Sequence, residues 1–519
     1  MTNRLQFSMP YDGDLDQYIK EKYPDITDYR ILSKSLDARK SNLGREPKYH
    51  YVVEGISKEE SFSNFEENFP KLTNKKTRPL IIGAGPAGLF CALRFAEYGI
   101  KTTIFERGDK ANNRMKHISK YWRHGQLDEN NNVCYGEGGA GLFSDGKLIT
   151  RIKSPYVKYV MNRFVDFGAP ADTAYISNPH LGSNKIRQLI GKMTSSLIEN
   201  DHEVHYNARV EKIIFNEDKS KAIGIRLDDG KEYFSDHIIL ATGHSATEIY
   251  YHLEESKVAM VSKGFAVGVR IEHSRAYIDQ LQYGDFAGTD LGAARYRLSW
   301  EDPETQKGTF SFCMCPGGYV LSSGTEKDGI VVNGMSNYAR NSRWSNSALV
   351  VAVKPGDDFD SSDTLAGLRY QHEIERTAYK ASLEMASGKE VPAQTIKDYL
   401  SNSLKGELPK TSCPSGLVKT NLADILPASV NDHLRNALNI FDQKMKGFAR
   451  DEGVLMAPES RTSAPVTISR DKETLVSTST VGLYPCGEGA GHAGGITSAA
   501  VDGIKVAMSI LKSSYNLDD

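Results

Sequence analysis

The spacing of apolar and polar positions changes several times along the chain, and each change marks an element. Leu80, Ile81 and Ile82 form a short unbroken apolar run. Gly83, Gly85 and Gly88 follow at the opening of a helical stretch, and the β-branched run from Lys101 to Phe105 then stops at Glu106. Strand, glycine turn, helix and second strand in that order predict a parallel βαβ unit. Beyond Glu106 the chain reads as polar turns as far as residue 131. Residues 203–243 alternate, which predicts an antiparallel meander with turns at Asn216-Glu217-Asp218 and Asp228-Asp229-Gly230. The meander re-enters the parallel sheet through His237 to Leu240 and stops at Ala241-Thr242-Gly243. Between 264 and 353, FAVGVRIEH, GTFSFCMCPGGYVLSS, GIVVNGM and SALVVAV are broken by polar turns, predicting a second, mainly antiparallel sheet. Residues 370–403 and 429–447 have a helical pattern and are expected to cap it. Ahead of all this, a helix around Leu15, Tyr18 and Ile19, the segment ILSKSLDARK and the β-rich HYVVEGI suggest a small α+β unit, with the polar segment from Glu59 to Arg78 as its linker.

Length and charge narrow the class. A chain of 519 residues suggests about three domains of roughly 150 residues. Lys plus Arg number 64 against 66 Asp plus Glu, a net charge of −2, so nothing marks a nucleic-acid or anionic-membrane partner. No apolar run approaches the roughly 20 residues that span a bilayer, and MTNRLQFSMPYDGD lacks the apolar centre of a signal peptide. The expectation is a soluble, cytoplasmic protein acting on a small molecule. The six cysteines are too scattered for a disulfide framework. Cys313 and Cys315 read as a buried apolar pair on one strand face, with a redox couple as the alternative. No metal-ligating set is expected. Lys34, Lys40, Lys75 and Lys76 read as a solvated basic face, with docking of a protein partner or self-association through the N-terminal unit as the other reading.

The glycines carry the chemistry. The first permits a tight turn, the second lets a pyrophosphate approach the backbone, and the third allows close helix–strand packing. The helix starting near Pro86 offers free N–H groups and a positive dipole end to phosphate. Glu106, about 20 positions on, suits ribose hydroxyls. Gly136, Gly138, Gly139 and Gly141, followed by Ser144, Asp145, Gly146 and Lys147, form a second loop suited to ligand contact. A third glycine-rich turn, Gly487 to Gly491, leads into a helix near Gly495. Two phosphate-friendly helix starts brought to one sheet fit a single extended cofactor, with adenosine and diphosphate on one and a flavin on the other.

Taken together, GAGPAG with Glu106, the meander ending in ATG, and CGEGAGHAGGITSAAVDGIKVA resemble the single-Rossmann FAD flavoproteins of the glutathione-reductase-like superfamily. More narrowly, KSLDARK, YGEGGAGLFSDGKL, FAVGVRIEH, FCMCPGGYV, VVNGMS and ESRTSAPV are similar to the uncharacterised bacterial FAD-dependent dehydrogenases with a small N-terminal domain. The resemblance implies an α/β fold: a Rossmann-type FAD-binding domain (77–263 and 451–519), an inserted, mainly antiparallel α+β substrate domain (264–450) and an N-terminal α+β domain (1–76). It implies non-covalent FAD, with Gly83, Gly85, Pro86, Ala87 and Gly88 on the diphosphate, Glu106 on the adenosine ribose and Val210 meeting the adenine. Gly243 would lie beside the diphosphate, Glu488 on the ribityl or diphosphate region, and Gly495 and Ile496 under the flavin ring. Arg107, Gly139, Gly141, Lys147, Ala241, Gly487 and Gly494 complete the expected cofactor contacts. The expected reaction is hydride transfer between flavin N5 and a small organic substrate, with NAD(P)H a candidate electron donor. An oxygen-using oxidase or monooxygenase, or an electron-transfer module docking a partner through residues 1–76, are the alternatives. Candidate catalytic groups are His492 as acid or base, Arg461 as a clamp for a substrate anion, Lys147 and Glu272, with Arg270 beside Glu272 on the same strand. The absence of a second GxGxxG and of CxxxxC argues against a disulfide reductase with its own NAD(P) domain.

Overall fold

The computed structural model describes residues 3–58, 62, 69–72, 78–450, 453–515 and 517. Lys75, Lys76 and most of the expected linker lie outside these. Leu80–Ile82 is the central strand of a five-stranded parallel sheet, flanked by Ile238–Leu240 and Thr103–Phe105, with Leu483–Pro485 and Glu203–His205 at the edges. Alternation sorts its side chains. Ile81, Ile104 and Ile239 face a core shared with the helices Pro86–Glu97, Gly182–Glu199 and Ile496–Tyr515. Leu80, Ile82, Phe105 and Leu240 face a second core under the predicted meander, here Val210–Phe215, Ala222–Leu227 and Glu232–Phe234. With both faces covered, the inner strands Leu80–Ile82 and Ile238–Leu240 are buried and apolar throughout, and that is why they read as unbroken runs, while the edge strand Glu203–His205 is polar and partly exposed.

The second sheet has seven strands, in the order Ser299–Glu301, Gly308–Cys315, Trp344–Val353, Phe265–Ser274, Val454–Glu459, Val391–Thr395 and Leu417–Lys419. All its pairings are antiparallel except the last. Three expectations are corrected. Residues 370–403 are not one helical block: the helix Ala366–Met385 ends, Gly388 takes φ +87°, and the Pro-containing strand Val391–Thr395 joins the sheet. Val454–Glu459 also belongs to this sheet, so the chain leaves it after Glu459 rather than at 450. The stretch after Glu106 holds a helix, Ala111–His124, whose Arg114, Ile118, Tyr121 and Trp122 are buried at helical spacing.

In the N-terminal unit, Asn3–Pro10, Lys48–Ile56 and Asp28–Asp37 form an antiparallel sheet with Lys48–Ile56 in the middle. Asp14 caps the helix Leu15–Lys22 by accepting from Gln17 N at 3.1 Å, and the helix buries Ile19 with Met9, Tyr51 and Val53. The unit docks on its own chain. Lys34 N donates to Tyr175 O at 3.1 Å, Ser177 N donates to Lys34 O at 2.9 Å, and Tyr11 meets Phe286 edge to face. Among the described residues no helix is long and apolar enough to cross a membrane.

Candidate functional site

A cavity of about 450 Å³ opens at the carboxyl ends of the parallel strands and runs to the seven-stranded sheet. Open α/β sheets place ligands at this end because the loops and helix N-termini gather there. The glycines of its wall divide into two groups. Gly83 takes φ +108°, and a Cβ on it would lie 2.4 Å from Ala241 O; one on Gly88 would lie 2.0 Å from Gly83 O. These two allow the turn and the helix to pack. By contrast, Cβ atoms on Gly243, Gly494 and Gly495 would meet nothing within 4 Å, and one on Gly85 would meet only Gly139 Cα at 4.0 Å. Bare backbone therefore faces an open space beside two helix N-termini, which is the cradle a dinucleotide diphosphate requires.

Gly83, Gly85, Pro86, Ala87, Glu106, Arg107, Gly139, Gly141, Lys147, Val210, Ala241, Gly243, Glu488, Gly494, Gly495 and Ile496 all line the cavity. Gly88 and Gly487 stand behind the wall. The Gly487 N–H donates to Asp502 Oδ2 at 2.8 Å, and Asp502 also pairs with Arg470, so this turn is anchored from within. Gly489 likewise packs on backbone, since its Cβ would lie 2.2 Å from Gly243 O. The Glu106 carboxylate accepts from Ala84 N, Gly108 N and Gly136 N at 2.9, 3.0 and 2.9 Å, which fixes its orientation toward the cavity. The Arg107 guanidinium lies 4.0 Å above the Tyr135 ring and binds Glu248 at 2.7 Å.

The catalytic candidates separate. Lys147 and Arg461 line the cavity; His492 and Glu272 do not. His492 Nε2 lies 3.0 Å from Ile468 O, and burial keeps its ring neutral, so it fastens the glycine turn to a two-stranded ribbon. Glu272 accepts from Thr411 Oγ1 at 2.7 Å and from Ser412 N at 3.0 Å, closing a loop against its strand. Arg461 reaches the wall with its fork occupied: Nε and Nη2 donate to Glu375 at 2.9 and 2.7 Å, and Nη1 donates to Thr325 at 2.6 Å. It is an internal ion pair rather than an open anion clamp. The neighbouring Glu459 makes a matching buried pair with Arg270, Nε to Oε2 at 2.8 Å and Nη2 to Oε1 at 3.1 Å. The Glu-Ser-Arg run thus anchors the cavity wall to a strand on one side and to the helix Ala366–Met385 on the other.

Several wall residues were not foreseen. His244 follows the ATG directly, and burial together with the Arg461 charge pushes its imidazole down to about 4, so a neutral ring faces the cavity. Cys313 and Cys315 both line the cavity, but not as a regular strand pair: the register shifts between Phe312 and Cys315, and Cys313 takes φ +44°. Burial pushes the Cys315 thiol up to about 11, so it stays protonated. Arg114 is hidden in the helix after Glu106. Its guanidinium donates to five carbonyls, those of Asn132, Val133, Gly136, Glu137 and Gly139, at 2.8 to 3.3 Å. It is the internal post of the second glycine loop.

Burial pushes the Glu488 carboxyl up to about 7, with the Lys263 charge opposing. Between its ordinary value near 4.3 and about 7, the folded protein holds a proton that the unfolded chain has lost. Stability of cofactor-free protein is therefore expected to fall as pH rises through this window, by about 1–3 kcal/mol, and to level off above it. Glu488→Gln should remove that slope in melting curves taken from pH 5 to 8; an unchanged slope assigns it to another group.

Helix N-termini on bare glycine backbone, the fixed Glu106 carboxylate and a cavity that continues to a second sheet fit FAD and define the class as an FAD-dependent oxidoreductase. Residues 77–259 match the family model for pyridine nucleotide-disulphide oxidoreductases, and residues 264–462 match that for the C-terminal domain-like part of FAD-dependent proteins. An uncharacterized protein of Clostridium beijerinckii is 38% identical over 506 residues, covering 94% of this chain and 93% of its own. The chain belongs to this family of FAD-dependent proteins. Among solved structures, a mutant of 2-methyl-3-hydroxypyridine-5-carboxylic acid oxygenase is 9% identical, covering 85% of this chain and 84% of its own with a TM-score of 0.34. Thioredoxin reductase of Lactococcus lactis is 20% identical, covering 32% and 36% with a TM-score of 0.18. Scores this low say nothing about the reaction.

Proposed function

We propose that the protein passes a hydride between FAD and a small organic substrate held where the cavity meets the seven-stranded sheet. The observation that supports this reading is the composition of the cavity wall as a whole. Phe312 and Ile149 offer apolar surface, and Lys147, Asn333 and the neutral His244 offer a charge and polar groups. A pocket of this kind binds an apolar body and orients it by a few polar contacts. FAD supplies a two-electron centre whose N5 gives or takes the hydride. Lys147 is positioned by the Met314 carbonyl and by Asp145 at 3.9 Å, and its ammonium would hold an anionic or carbonyl oxygen of the substrate. His244, with Nδ1 2.7 Å from Ser245 Oγ, can accept or return a proton. NADH and NADPH are the candidate electron donors.

The test is anaerobic reduction, followed as bleaching near 450 nm, with NADH, with NADPH and with a panel of small alcohols, amines and enoates, followed by reoxidation in air. Lys147→Met should retain FAD and slow reduction at least about tenfold, while His492→Ala should retain FAD and reduce within about twofold of the parent rate. An unchanged rate in Lys147→Met removes that residue from the reaction. Rapid reaction with air giving peroxide or a hydroxylated product would replace hydride exchange by oxygen chemistry.

A further inference from the structure

Two thiols stand in the cavity wall that hydride transfer to a small substrate leaves unused. Cys313 and Cys315 line the same cavity as Gly494, Gly495 and Ile496. Cys313 is exposed and Cys315 is buried, with the Cys315 Sγ 3.3 Å from Cys313 O. Three chain steps from Phe312 to Cys315 face only two on the neighbouring strand, from Ala348 to Asn346, so a bulge shortens the stretch that holds both cysteines. Residues two apart in a chain are separated by at most about 7 Å. A disulfide spans Cα atoms about 4.4–6.8 Å apart, so the shortened stretch brings the pair within its reach.

The bulge is held from three sides. Ser347 Oγ donates to Phe312 O at 3.2 Å, Arg270 Nη1 donates to Cys313 O at 3.5 Å, and Lys147 Nζ donates to Met314 O. Gly318 leaves room for the buried thiol, since a Cβ on it would lie 3.0 Å from Cys315 Cβ. Cys313 takes φ +44°, a conformation that costs a residue with a side chain, and strain kept at a cavity wall points to a use for it. The same contacts tie the bulge to the flavin end. Leu148, next to Lys147, accepts from Thr497 Oγ1 at 2.8 Å, and Thr497 lies in the first turn of the helix Ile496–Tyr515. Burial raises both thiols, with the Lys147 and Arg270 charges opposing, so both carry their protons at neutral pH.

We propose that Cys313 and Cys315 are a redox pair on the inserted sheet that cycles between a disulfide and two thiols, taking two electrons from reduced FAD in the shared cavity. In that step the Sγ–Sγ bond breaks, reduced FAD gives up two electrons and two protons, each sulfur gains one of each, and FAD is left oxidised. The direction follows from the short loop: a disulfide closed across one intervening residue is strained, and strained disulfides are the more oxidising ones. The return step is exchange with a small organic disulfide at the exposed Cys313, which leaves as two thiols while the Sγ–Sγ bond forms again. The pair gives the FCMCPGGYV segment a role, with Gly318 clearing space for the inner sulfur. It rests on FAD in the cavity and not on the substrate of the hydride reaction.

The test uses FAD-saturated protein oxidised with diamide, desalted and titrated anaerobically with dithionite. The parent should take up about four electrons per FAD, and Cys313→Ser and Cys315→Ser about two each with FAD retained. The second readout is the mass of the tryptic fragment 308–327, which carries these two cysteines and no other. It should lose two hydrogens on oxidation and regain them as the flavin is titrated, whereas protein stripped of FAD should keep the disulfide over the same period. This readout needs no variant and carries the test if either serine protein does not fold. Equal electron uptake by parent and variants, a fragment that never loses the two hydrogens, or equally fast disulfide reduction without FAD would overturn the proposal. Because no organic substrate enters the measurement, failure here is distinct from failure of the hydride reaction.

Discussion

Arg461→Met should destabilise the FAD-bound protein by about 3–5 kcal/mol, read as a drop in the urea midpoint, because it leaves the Glu375 charge enclosed without its partner. Burial alone raises the Glu375 carboxyl, and Arg461, helped by the Ser460 hydroxyl at 2.6 Å, more than offsets this and holds it ionised. The second half of the expectation concerns the pair. Arg461→Met with Glu375→Leu should recover most of the loss, since replacing both ions by apolar groups of similar size removes the desolvation cost as well as the attraction. The pair's contribution should be present above the ordinary glutamate range and lost as pH falls through the depressed Glu375 value. Equal destabilisation of the single and double variants would mean that Arg461 acts through something other than Glu375, and the substrate-clamp role would return.

The other large effect belongs to Arg114. Its five carbonyl acceptors hold residues 132–139, and Gly139 lines the cavity. Arg114→Met leaves these carbonyls without their donor in a buried setting, so FAD affinity is expected to fall at least about a hundredfold, or about 2.7 kcal/mol, measured by recovery of flavin fluorescence on dilution. Arg114→Lys should recover only part of this, because an ammonium has three donors where the guanidinium fork has five. An Arg114→Met protein that binds FAD as tightly as the parent would show that the loop orders without it.

Local pattern was enough wherever one segment answers one constraint. The apolar triplet at Leu80, the glycines after it and the acid at 106 are each required by the strand–turn–helix geometry itself. The meander, buried on one face, had to alternate. His492 and Glu272 misled for a physical reason: a polar residue in a glycine-rich or β-rich motif can turn toward backbone or toward ligand, and sequence spacing is the same in both cases. Arg461 posed the same ambiguity, and it was resolved by Glu375 on a helix some 86 positions away in the chain.

The sequence by itself determined the parallel βαβ start, the second glycine-rich helix start and hence the extended dinucleotide site, because turns, helix starts and strand periodicity are set by neighbours a few residues apart. Tertiary structure alone decided which charges are spent and which are open. It paired Arg461 with Glu375 and Arg270 with Glu459, placed Arg114 inside the second glycine loop, and brought His244 and Cys313 to the cavity. Charge compensation acts through space between residues far apart in the chain, so no local pattern records it.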